Sequence, residues 1–303
     1  MITIKNLHKT YNTLEAVKGI SLTIEEGEMF GIIGPDGAGK TTTIRILCGL
    51  INATSGDVHL MDKNINKPRS VIQKNIGYLS QIFSLYGDLT VDENIAFFAN
   101  IHNITDFQER ADELLTFTNL IPFRDRLANN LSGGMKQKLA LACSLIHKPT
   151  ILFLDEPTTG VDPVSRRDFW KILASLKREG ITIVLTTPYL DEAERCTRVA
   201  FMNEGKIMDI GTPIELKAKM KGEVLELVCL EIKRAGEIIK ANFDFDIQLF
   251  GDRINIVINS FNTDFPKIET VLTKQSINII EKRIITPTLE NLFIYMMKRI
   301  KRD

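Results

Sequence analysis

The sequence predicts an α/β fold: a mostly parallel sheet with an antiparallel edge sheet and a helical insertion, followed by a small C-terminal α+β domain. Apolar runs alternate with amphipathic stretches, a pattern typical of parallel strands joined by helices. Between residues 89 and 148 the period is helical, and near residue 221 strand-like runs return. We therefore expect a core domain over residues 1–220, with a helical subdomain at about 82–148, and an accessory domain over residues 221–303.

The first half of the core begins with an antiparallel edge sheet and leads into the buried sheet. Alternating apolar and polar residues predict edge strands at 2–5 and 20–24. The apolar run at 29–33 predicts the first buried strand, and a helix follows from Ile44. Further strands are predicted at 57–61 and 76–81.

The helical insertion and the second half of the core complete the predicted domain. Thr90, with Glu93 three residues later, forms a capping-box pattern at the start of the insertion. Helices are predicted at 92–102, 107–119 and 135–147. Buried strands are predicted at 150–156, 181–186 and 199–202, with an amphipathic helix at 165–178.

The accessory domain mixes strands and helices. Strands are predicted at 224–230, 247–250, 254–258 and 277–284, and helices at 265–274 and 289–301. No group in it has catalytic spacing, and its charges are typical of a solvated surface. We expect a structural or dimer-contact role for this domain.

Composition limits the classes of partner. Lys plus Arg and Asp plus Glu both number 38, so net charge gives no reason to expect a nucleic-acid partner. The four cysteines, Cys48, Cys143, Cys196 and Cys229, are far apart in apolar sequence, which favours buried reduced thiols over disulfides or a metal site. The amino terminus lacks a signal-peptide pattern, and no apolar run approaches the ~20 residues that span a bilayer. A role at a membrane would therefore require a partner.

A glycine-rich loop between the strand at 29–33 and the next helix is the main functional feature. It consists of Gly34, Pro35, Asp36, Gly37, Ala38, Gly39, Lys40, Thr41 and Thr42. Backbone N–H groups of such a loop converge on phosphate, and the helix amino terminus adds partial positive charge. Lys40 is placed to reach the β- and γ-phosphates, and Thr41 to ligate Mg²⁺. The strand and helix on either side disfavour the alternative, a plain turn with a surface lysine. The loop therefore predicts a P-loop NTPase that binds a nucleoside triphosphate.

Two residues between the predicted edge strands are candidates for the base of the nucleotide. Tyr11 offers an aromatic face on which a base can stack, and Val17 follows it. An ordinary surface or core tyrosine is an equal alternative for Tyr11.

Two acids end the strand at 150–156. Asp155 lies where a P-loop protein places a carboxylate that holds Mg²⁺. Glu156, the next residue, can orient or deprotonate the attacking water. A simple turn is the alternative, which the preceding phosphate loop disfavours.

The signature segment, residues 131–137, contains Ser132, Gly133 and Gly134 at the start of a predicted helix. This is a second anion-binding helix terminus in one chain. Because one triphosphate does not need two such sites, we expect these residues to bind the nucleotide of another subunit.

Together these motifs resemble the ATP-binding subunit of ABC transporters. The resemblance covers residues 1 to about 220 and rests on the loop at 34–42, Gln81, the signature segment, residues 151–157 and Asp162. The signature segment, residues 158–163 and residues 287–293 look like the bacterial multidrug and drug-resistance exporter branch, whose ATPase subunits often carry a small C-terminal domain.

The resemblance implies a role for each matching residue. Tyr11 would stack on adenine, Gln81 would ligate Mg²⁺ and sense the membrane partner, and Glu156 would be the catalytic base. Ser132, Gly133 and Gly134 would contact the γ-phosphate of ATP bound to the opposite subunit, and Asp162 would lie at the subunit interface. The implied cofactors are ATP and Mg²⁺, and the implied partners are a second ABC ATPase subunit, identical or different, and an integral membrane permease. The resemblance places the chain in the cytoplasm, at the inner face of the membrane through that permease.

The sequence departs from the family at two positions. Pro188 replaces a histidine that usually contacts the γ-phosphate, and proline offers neither a side-chain donor nor a backbone N–H. Pro188 can also be a first helical residue with Thr187 as its cap. Asp36 places a carboxylate near the phosphates, where Asn or Ser is commoner. The Asp36 carboxylate should weaken phosphate binding unless it meets a cation or the metal. Pro188, together with an intact Glu156, suggests that this chain's own site binds ATP but turns it over slowly, the faster site being supplied by a second, different ATPase subunit or domain.

Three hypotheses follow. The first is an ATPase whose nucleotide-driven dimer closure powers an exporter. The second is a catalytically impaired ATP-binding partner in a heterodimer; Glu156 favours the first, and Pro188 the second. The third is a soluble non-transport ABC protein, which the neutral charge and the single nucleotide-binding motif disfavour.

Overall fold

The computed structural model describes residues 1–65, 73–82 and 85–300, and the predicted fold class is confirmed. Two compact units comprise residues 1–212 and 213–303, a division eight residues before the predicted boundary of 220. Two residues of the predicted helical subdomain, 83 and 84, and the last residue of the predicted helix at 289–301 lie outside the described residues. In the described part of the chain, no helix is long and apolar enough to cross a membrane.

Unit 1 contains an antiparallel sheet in the order β2-β1-β4-β5. Its strands are β1 (Ile2–Tyr11), β2 (Leu14–Ile24), β4 (Ser55–Leu60) and β5 (Lys63–Asn64). Strands β1 and β2 pair along nearly their whole lengths, so Tyr11 and Val17 lie within strands. The loop predicted between the two edge strands is therefore too long. Irregular pairing around Leu7 hides the simple alternation from which strand length is predicted.

The second sheet of unit 1 has the order β10-β9-β3-β8-β7-β6, and all its pairs are parallel except β9–β10. Its strands are β3 (Met29–Ile33), β6 (Ile76–Leu79), β7 (Ile151–Asp155), β8 (Thr182–Thr187), β9 (Arg198–Asn203) and β10 (Lys206–Gly211). Strand β10 was not predicted. The sequence signal that could have indicated it is the Glu204–Gly205 pair. In the structure these two residues have positive φ angles of 48° and 82°, which suit a two-residue hairpin turn.

The helices of unit 1 are α1 (Lys40–Leu47), α2 (Val91–Ile101), α3 (Gln108–Thr118), α4 (Gly133–Leu145), α5 (Pro163–Arg178) and α6 (Leu190–Ala193). The predicted capping box is present: the Glu93 N–H donates to Thr90 Oγ1, and the Thr90 N–H donates to the Glu93 carboxylate. The main core of the unit lies around α1, between the edge sheet and β3, β7 and β8.

A stacked histidine pair links the helical insertion to β6. The rings of His102 and His147 lie 3.8 Å apart and nearly parallel, and His147 Nε2 is 2.9 Å from the Ile76 carbonyl oxygen. Burial, and secondarily His102, lower the pKa of His147 to about 4, although the Ile76 bond opposes this shift.

Unit 2 contains a four-stranded antiparallel sheet in the order β12-β13-β11-β14. Its elements are α7 (Pro213–Ala218), β11 (Glu223–Cys229), α8 (Ile232–Asn242), β12 (Asp246–Phe250), β13 (Arg253–Ile258), α9 (Phe261–Lys274), β14 (Ile279–Ile285) and α10 (Leu289–Ile300). From β11 to β14 this is the β-α-β-β-α-β arrangement. Helix α8 was not predicted, although Ile232, Ala235 and Ile239 have helical spacing.

Helix α9 begins four residues before its predicted start at Phe265. Pro266 lies inside the helix, one residue after the predicted start. The Asp264 carboxylate accepts the N–H groups of Asn259 and Ser260 at 3.0 and 3.4 Å. These bonds stabilise the turn that precedes the proline.

Candidate nucleotide site

A cavity of about 380 Å³ lies at the carboxyl end of β3. Parallel sheets bind ligands at this end of their strands. The described residues that line it are Tyr11, Leu14, Ala16, Asp36, Gly37, Ala38, Gly39, Lys40, Thr41, Thr42, Gln81 and Glu156. The structure thus brings together most residues predicted for nucleotide binding.

The phosphate loop requires glycine where it touches neighbouring backbone. A Cβ at Gly34 would lie 2.0 Å from the Met202 carbonyl oxygen, and one at Gly39 would lie 2.4 Å from the Ala16 carbonyl oxygen. Gly39 also has a φ of 102°. At Gly37, φ is 79°, but a Cβ would meet no atom within 4 Å.

Lys40 is buried and bonded within the loop. Its Nζ donates to the carbonyl oxygens of Gly34 at 2.8 Å and Pro35 at 3.0 Å, and it lies 3.3 Å from Glu156 Oε1. The ammonium therefore lies at the phosphate loop and beside the predicted catalytic base.

Asp155 forms a buried oxygen cluster with two threonines. Asp155 Oδ1 accepts the hydroxyls of Thr41 at 3.0 Å and Thr186 at 2.7 Å. Asp155 Oδ2 is buried without a hydrogen-bond partner, a costly arrangement unless a cation satisfies it. Burial, and then the charge of Asp155, raise the pKa of Cys48, and the same two causes raise the pKa of Tyr78 to about 12.

These donors suit Mg²⁺. Carboxylate, hydroxyl and amide oxygens are the ligands of a hard divalent cation. Among the described residues, no group of three or more His, Cys, Asp or Glu side chains is placed to hold a metal ion. Gln81 lies in the same cavity, and its Nε2 donates to Glu156 Oε2 at 3.0 Å.

Glu156 is held by its backbone and by its side chain. Its φ is 48°, and its N–H donates to the Thr186 carbonyl at 3.2 Å and the Thr186 hydroxyl at 3.0 Å. Its Oε2 also accepts the Thr159 hydroxyl at 3.3 Å. Non-glycine residues with such φ values are uncommon and cluster at functional sites.

Tyr11 and Val17, the two residues predicted beside the base of the nucleotide, differ in exposure. Tyr11 is 42% exposed and lines the cavity, and Lys9 Nζ lies 4.8 Å from its ring centroid. Val17 is fully buried in the core and is not among the described lining residues, so its place beside the base remains a prediction. Ala16 and Leu14 line the cavity instead, because successive side chains of a strand point to opposite faces.

The signature segment begins α4. Ser132 caps the helix by accepting the Met135 N–H at 3.3 Å. A Cβ at Gly134 would lie 2.4 Å from Ser165 Cβ, so α4 meets the start of α5 at van der Waals contact. Ser132, Gly133 and Gly134 are not among the described residues that line the cavity.

Asp162 caps α5. Its Oδ1 accepts the N–H groups of Val164 at 3.1 Å and Ser165 at 2.9 Å. Hydrogen bonds from Ser165, side chain first, lower the pKa of Asp162. Its predicted interface role remains a prediction.

Pro188 precedes the next helix, which begins at Leu190 with Tyr189 as its N-cap, so Pro188 is not the first helical residue. The Thr187 hydroxyl accepts the Tyr189 N–H at 3.0 Å and donates to Glu192 Oε2 at 2.7 Å.

Glu192 is a buried residue that the sequence interpretation missed. Its Oε1 accepts the Thr158 hydroxyl at 2.5 Å and lies 3.6 Å from Arg166 Nη1. With the Thr187 bond, Glu192 links the segment after Glu156, the end of β8 and helix α5. An acid in a short helix after a buried strand was the only sequence signal.

Comparison with known protein families gives one matching model. Residues 17–159 match the model described as "ABC transporter". That region contains the phosphate loop, Gln81, the signature segment, Asp155 and Glu156.

Several relatives match much of the chain. The probable multidrug ABC transporter ATP-binding protein YbhF of Escherichia coli K12 is 39% identical over 72% of this chain, which spans 38% of that relative's length. The linearmycin resistance ATP-binding protein LnrL of Bacillus subtilis 168 is 31% identical over 100% of both chains. The daunorubicin/doxorubicin resistance ATP-binding protein DrrA of Streptomyces peucetius is 38% identical over 73% of this chain and 68% of its own.

Solved structures agree with the fold of unit 1. The ATP-binding cassette MJ0796, in a dimeric post-hydrolysis state bound to ADP and Pi, superposes with a TM-score of 0.65 at 29% identity. The match covers 70% of this chain and 98% of that cassette.

Proposed function

Because the chain belongs to the family of ABC transporter ATP-binding proteins, we propose that it binds and hydrolyses ATP and thereby powers an exporter. One observation carries the proposal: Lys40, Thr41, Gln81 and Glu156 meet in one cavity at the carboxyl end of β3. A lysine, a hydroxyl, an amide and a carboxylate at a glycine-rich loop are the groups that phosphoryl transfer requires.

ATP binding uses the loop and Lys40. Backbone N–H groups of residues 36–42 bind the phosphates, and the amino terminus of α1 adds partial positive charge. Lys40 exchanges its bond to Glu156 for a phosphate oxygen, which frees the Glu156 carboxylate for water. Tyr11 offers its exposed ring to adenine.

Thr41, Gln81 and Asp155 would hold Mg²⁺. The unpartnered Asp155 Oδ2 supports this assignment. When bound, Mg²⁺ would neutralise part of the negative charge of the phosphates. Thr186 fixes the Asp155 carboxylate by donating to Oδ1, which leaves Oδ2 for the metal.

Glu156 acts as the general base. It takes a proton from a water molecule while the water oxygen attacks the γ-phosphorus and the bond to the β–γ bridging oxygen breaks, giving ADP and phosphate. Gln81 and Thr159 both donate to Oε2 and orient the carboxylate.

A second subunit completes each site. The signature segment does not line this chain's cavity, which supports contact of Ser132, Gly133 and Gly134 with ATP on the opposite subunit. The dimeric state of MJ0796 supports the same arrangement. Asp162, at the start of α5 and beside Ser165, would lie at this interface.

A membrane permease is the proposed partner, and multidrug or antibiotic export is the proposed process. The names of YbhF, LnrL and DrrA support this class of substrate. The helical insertion carries an aromatic cluster in which Tyr86 and Phe97 lie 4.5 Å apart, and Tyr86 and Ile101 are exposed. Exposed apolar groups of this kind suit docking of the permease, which would hold the chain at the cytoplasmic face of the membrane.

A catalytically impaired partner is the second candidate function, and Pro188 favours it. Pro188 has no side-chain donor for the γ-phosphate, and the neighbouring Thr187 hydroxyl donates to Glu192. A chain of this kind would bind ATP and hydrolyse it slowly beside a faster, different subunit.

The test measures ATP binding and hydrolysis by the purified chain over a range of protein concentrations. We expect turnover per chain to rise with concentration, and Glu156→Gln to lower it by about 10²–10⁴-fold without loss of ATP binding. Glu237→Gln, at an exposed position of α8, is the matched control. Absence of ATP binding would contradict the proposal altogether.

Pro188→His separates the two candidates. Increased turnover supports slow hydrolysis at the Pro188 site, whereas unchanged or lower turnover with intact folding contradicts it. ATP binding without turnover above that of Glu156→Gln would favour the impaired partner.

A further inference from the structure

The two edges of the unit 2 sheet differ. At the β12 edge, Lys298 of α10 donates to the Ile247 carbonyl at 3.4 Å and pairs with Asp246 at 3.1 Å. At the β14 edge, all residues from 280 to 284 are exposed, including Ile280 at 60% and Ile284 at 43%. An open edge strand with exposed apolar residues is a template for pairing with another strand.

The sequence of β14 is complementary to itself in the antiparallel direction. It reads Ile279, Ile280, Glu281, Lys282, Arg283, Ile284 and Ile285. When two copies are aligned about Lys282, Ile280 lies opposite Ile284, and Glu281 lies opposite Arg283. Each apolar residue thus meets an apolar residue, and each flanking charge meets its opposite.

We propose that β14 pairs antiparallel with β14 of a second copy of this chain, about a two-fold axis through Lys282. The two sheets then form one continuous sheet through their open edges. This surface is separate from the nucleotide-dependent contact proposed above, since it uses only unit 2 residues.

The pairing of β14 with β11 shows which face of the sheet the β14 side chains occupy. Ile284 and Lys282 pair with Leu225 and Leu227 of β11, which belong to the unit 2 core. Ile284 therefore lies at the rim of that core, and pairing of Ile284 with Ile280 of the second copy would extend it. The regular ladder with β11 runs from Ile285 to Glu281, and Ile280 lies at the irregularity before Ile279, so the Ile280–Ile284 pairs would close the proposed pairing at its two ends.

The charges on the opposite face also fit. Arg283 Nη2 bonds Glu226 Oε1 at 2.6 Å, and Arg283 Nη1 lies 3.8 Å from Glu281 of its own strand. Glu281 of the second copy would approach the same guanidinium, which can bind several carboxylate oxygens. Two such pairs form, one on each side of the axis.

Lys282 on the axis is already turned toward its own chain. Its Nζ lies 3.1 Å from Glu269 Oε1 and 4.1 Å from the centroid of the Phe265 ring. The Lys282 ammonium is therefore paired with the Glu269 carboxylate of its own chain, which reduces repulsion from Lys282 of the second copy.

Neighbouring registers are unfavourable. An axis through Glu281 places two Glu281 carboxylates opposite each other, and an axis through Arg283 places two guanidinium groups opposite each other. Each of these two alternative axes also places Lys282 opposite an isoleucine of the second copy. Pairing over about five residues falls short of the roughly 1,000 Å² that a stable interface buries, so it adds to other contacts between the two copies rather than replacing them.

Disulfide trapping in the full chain tests the proposal. All four native cysteines are buried, so an introduced surface cysteine is the reactive one. Residues opposite each other across an antiparallel pair are close enough for a disulfide. Under mild oxidation we expect Lys282→Cys to form covalent dimers about tenfold faster than Leu230→Cys, a control that is 90% exposed on the same unit.

The register is tested with three further variants. A mixture of Ile280→Cys and Ile284→Cys should form dimers that neither variant forms alone, because each residue faces the other across the axis. Adding Glu281→Arg to Lys282→Cys should slow its cross-linking, since arginine then faces Arg283. Equal rates for Lys282→Cys and Leu230→Cys, or no preference in the mixture, would overturn the proposal. ATP hydrolysis, measured on the reduced variants, reports separately on the proposed function.

Discussion

The Glu192 carboxylate links three parts of the core, and its removal is a direct test of this link. Glu192 is 1% exposed, and its two oxygens accept the buried hydroxyls of Thr158 and Thr187. In Glu192→Ala both hydroxyls lose their acceptor. Arg166 also loses a partner, but it is partly exposed and can be solvated.

The expected loss of stability follows from these contacts. A buried donor left without an acceptor costs about 1–3 kcal/mol, and two of them with a small cavity give about 3–5 kcal/mol. Glu192→Gln keeps the size and one acceptor oxygen, so we expect about 1–2 kcal/mol. Asp191→Ala, at a neighbour that is 73% exposed and 4.0 Å from Arg166, should cost below about 0.5 kcal/mol.

Equilibrium unfolding in urea measures these differences. The single tryptophan, Trp170, is buried in α5, so its fluorescence reports on unit 1 and not on unit 2. The reasoning is refuted if Glu192→Ala costs less than about 1 kcal/mol, or if Asp191→Ala costs as much as Glu192→Ala.

Two further predictions concern pH and the phosphate loop. Because the folded pKa of His147, about 4, is below its unfolded value near 6.5, the neutral ring stabilises the fold above pH 6.5, and this contribution falls between pH 6.5 and 4. At about 1.4 kcal/mol per pKa unit the loss is at most about 3–4 kcal/mol, and the stability measured by urea unfolding over this pH range should change less with pH for His147→Gln. Gly34→Ala should destabilise unit 1 by about 3 kcal/mol or more, since its Cβ meets a backbone carbonyl. Gly37→Ala should cost only about 1 kcal/mol, for its positive φ alone, and similar values for the two variants would contradict this reasoning.

Local patterns predicted most of the core and of the candidate site. The phosphate loop, the acids that end β7 and the signature segment are contiguous, and their chemistry depends on a strand end or helix start that apolar periodicity indicates. The alternation of strands and helices indicates a parallel sheet and places the phosphate loop at the carboxyl ends of its strands.

Residues that act through distant contacts were not predictable in this way. Thr186 and Glu192 are chemically ordinary, and their roles depend on partners about 30 residues away in sequence. Leu14 and Ala16 were missed because irregular pairing of β1 and β2 hides which strand face meets the cavity. Strand β10 is short, and α8 has only a few apolar residues in a polar stretch, so apolar residues alone do not set the bounds of either element.

The close approach of α4 and α5 has a mechanical consequence. A Cβ built at Gly134 would lie 2.4 Å from Ser165 Cβ and 2.5 Å from Ser165 Oγ, so the short Ser165 side chain packs directly on the backbone of the signature helix. A flexible side chain at such a junction could absorb a small displacement by changing rotamer, whereas direct contact transmits it. A displacement of the helical insertion would therefore also displace Asp162. The rigidity of this contact then determines how much of the movement is transmitted through the subunit.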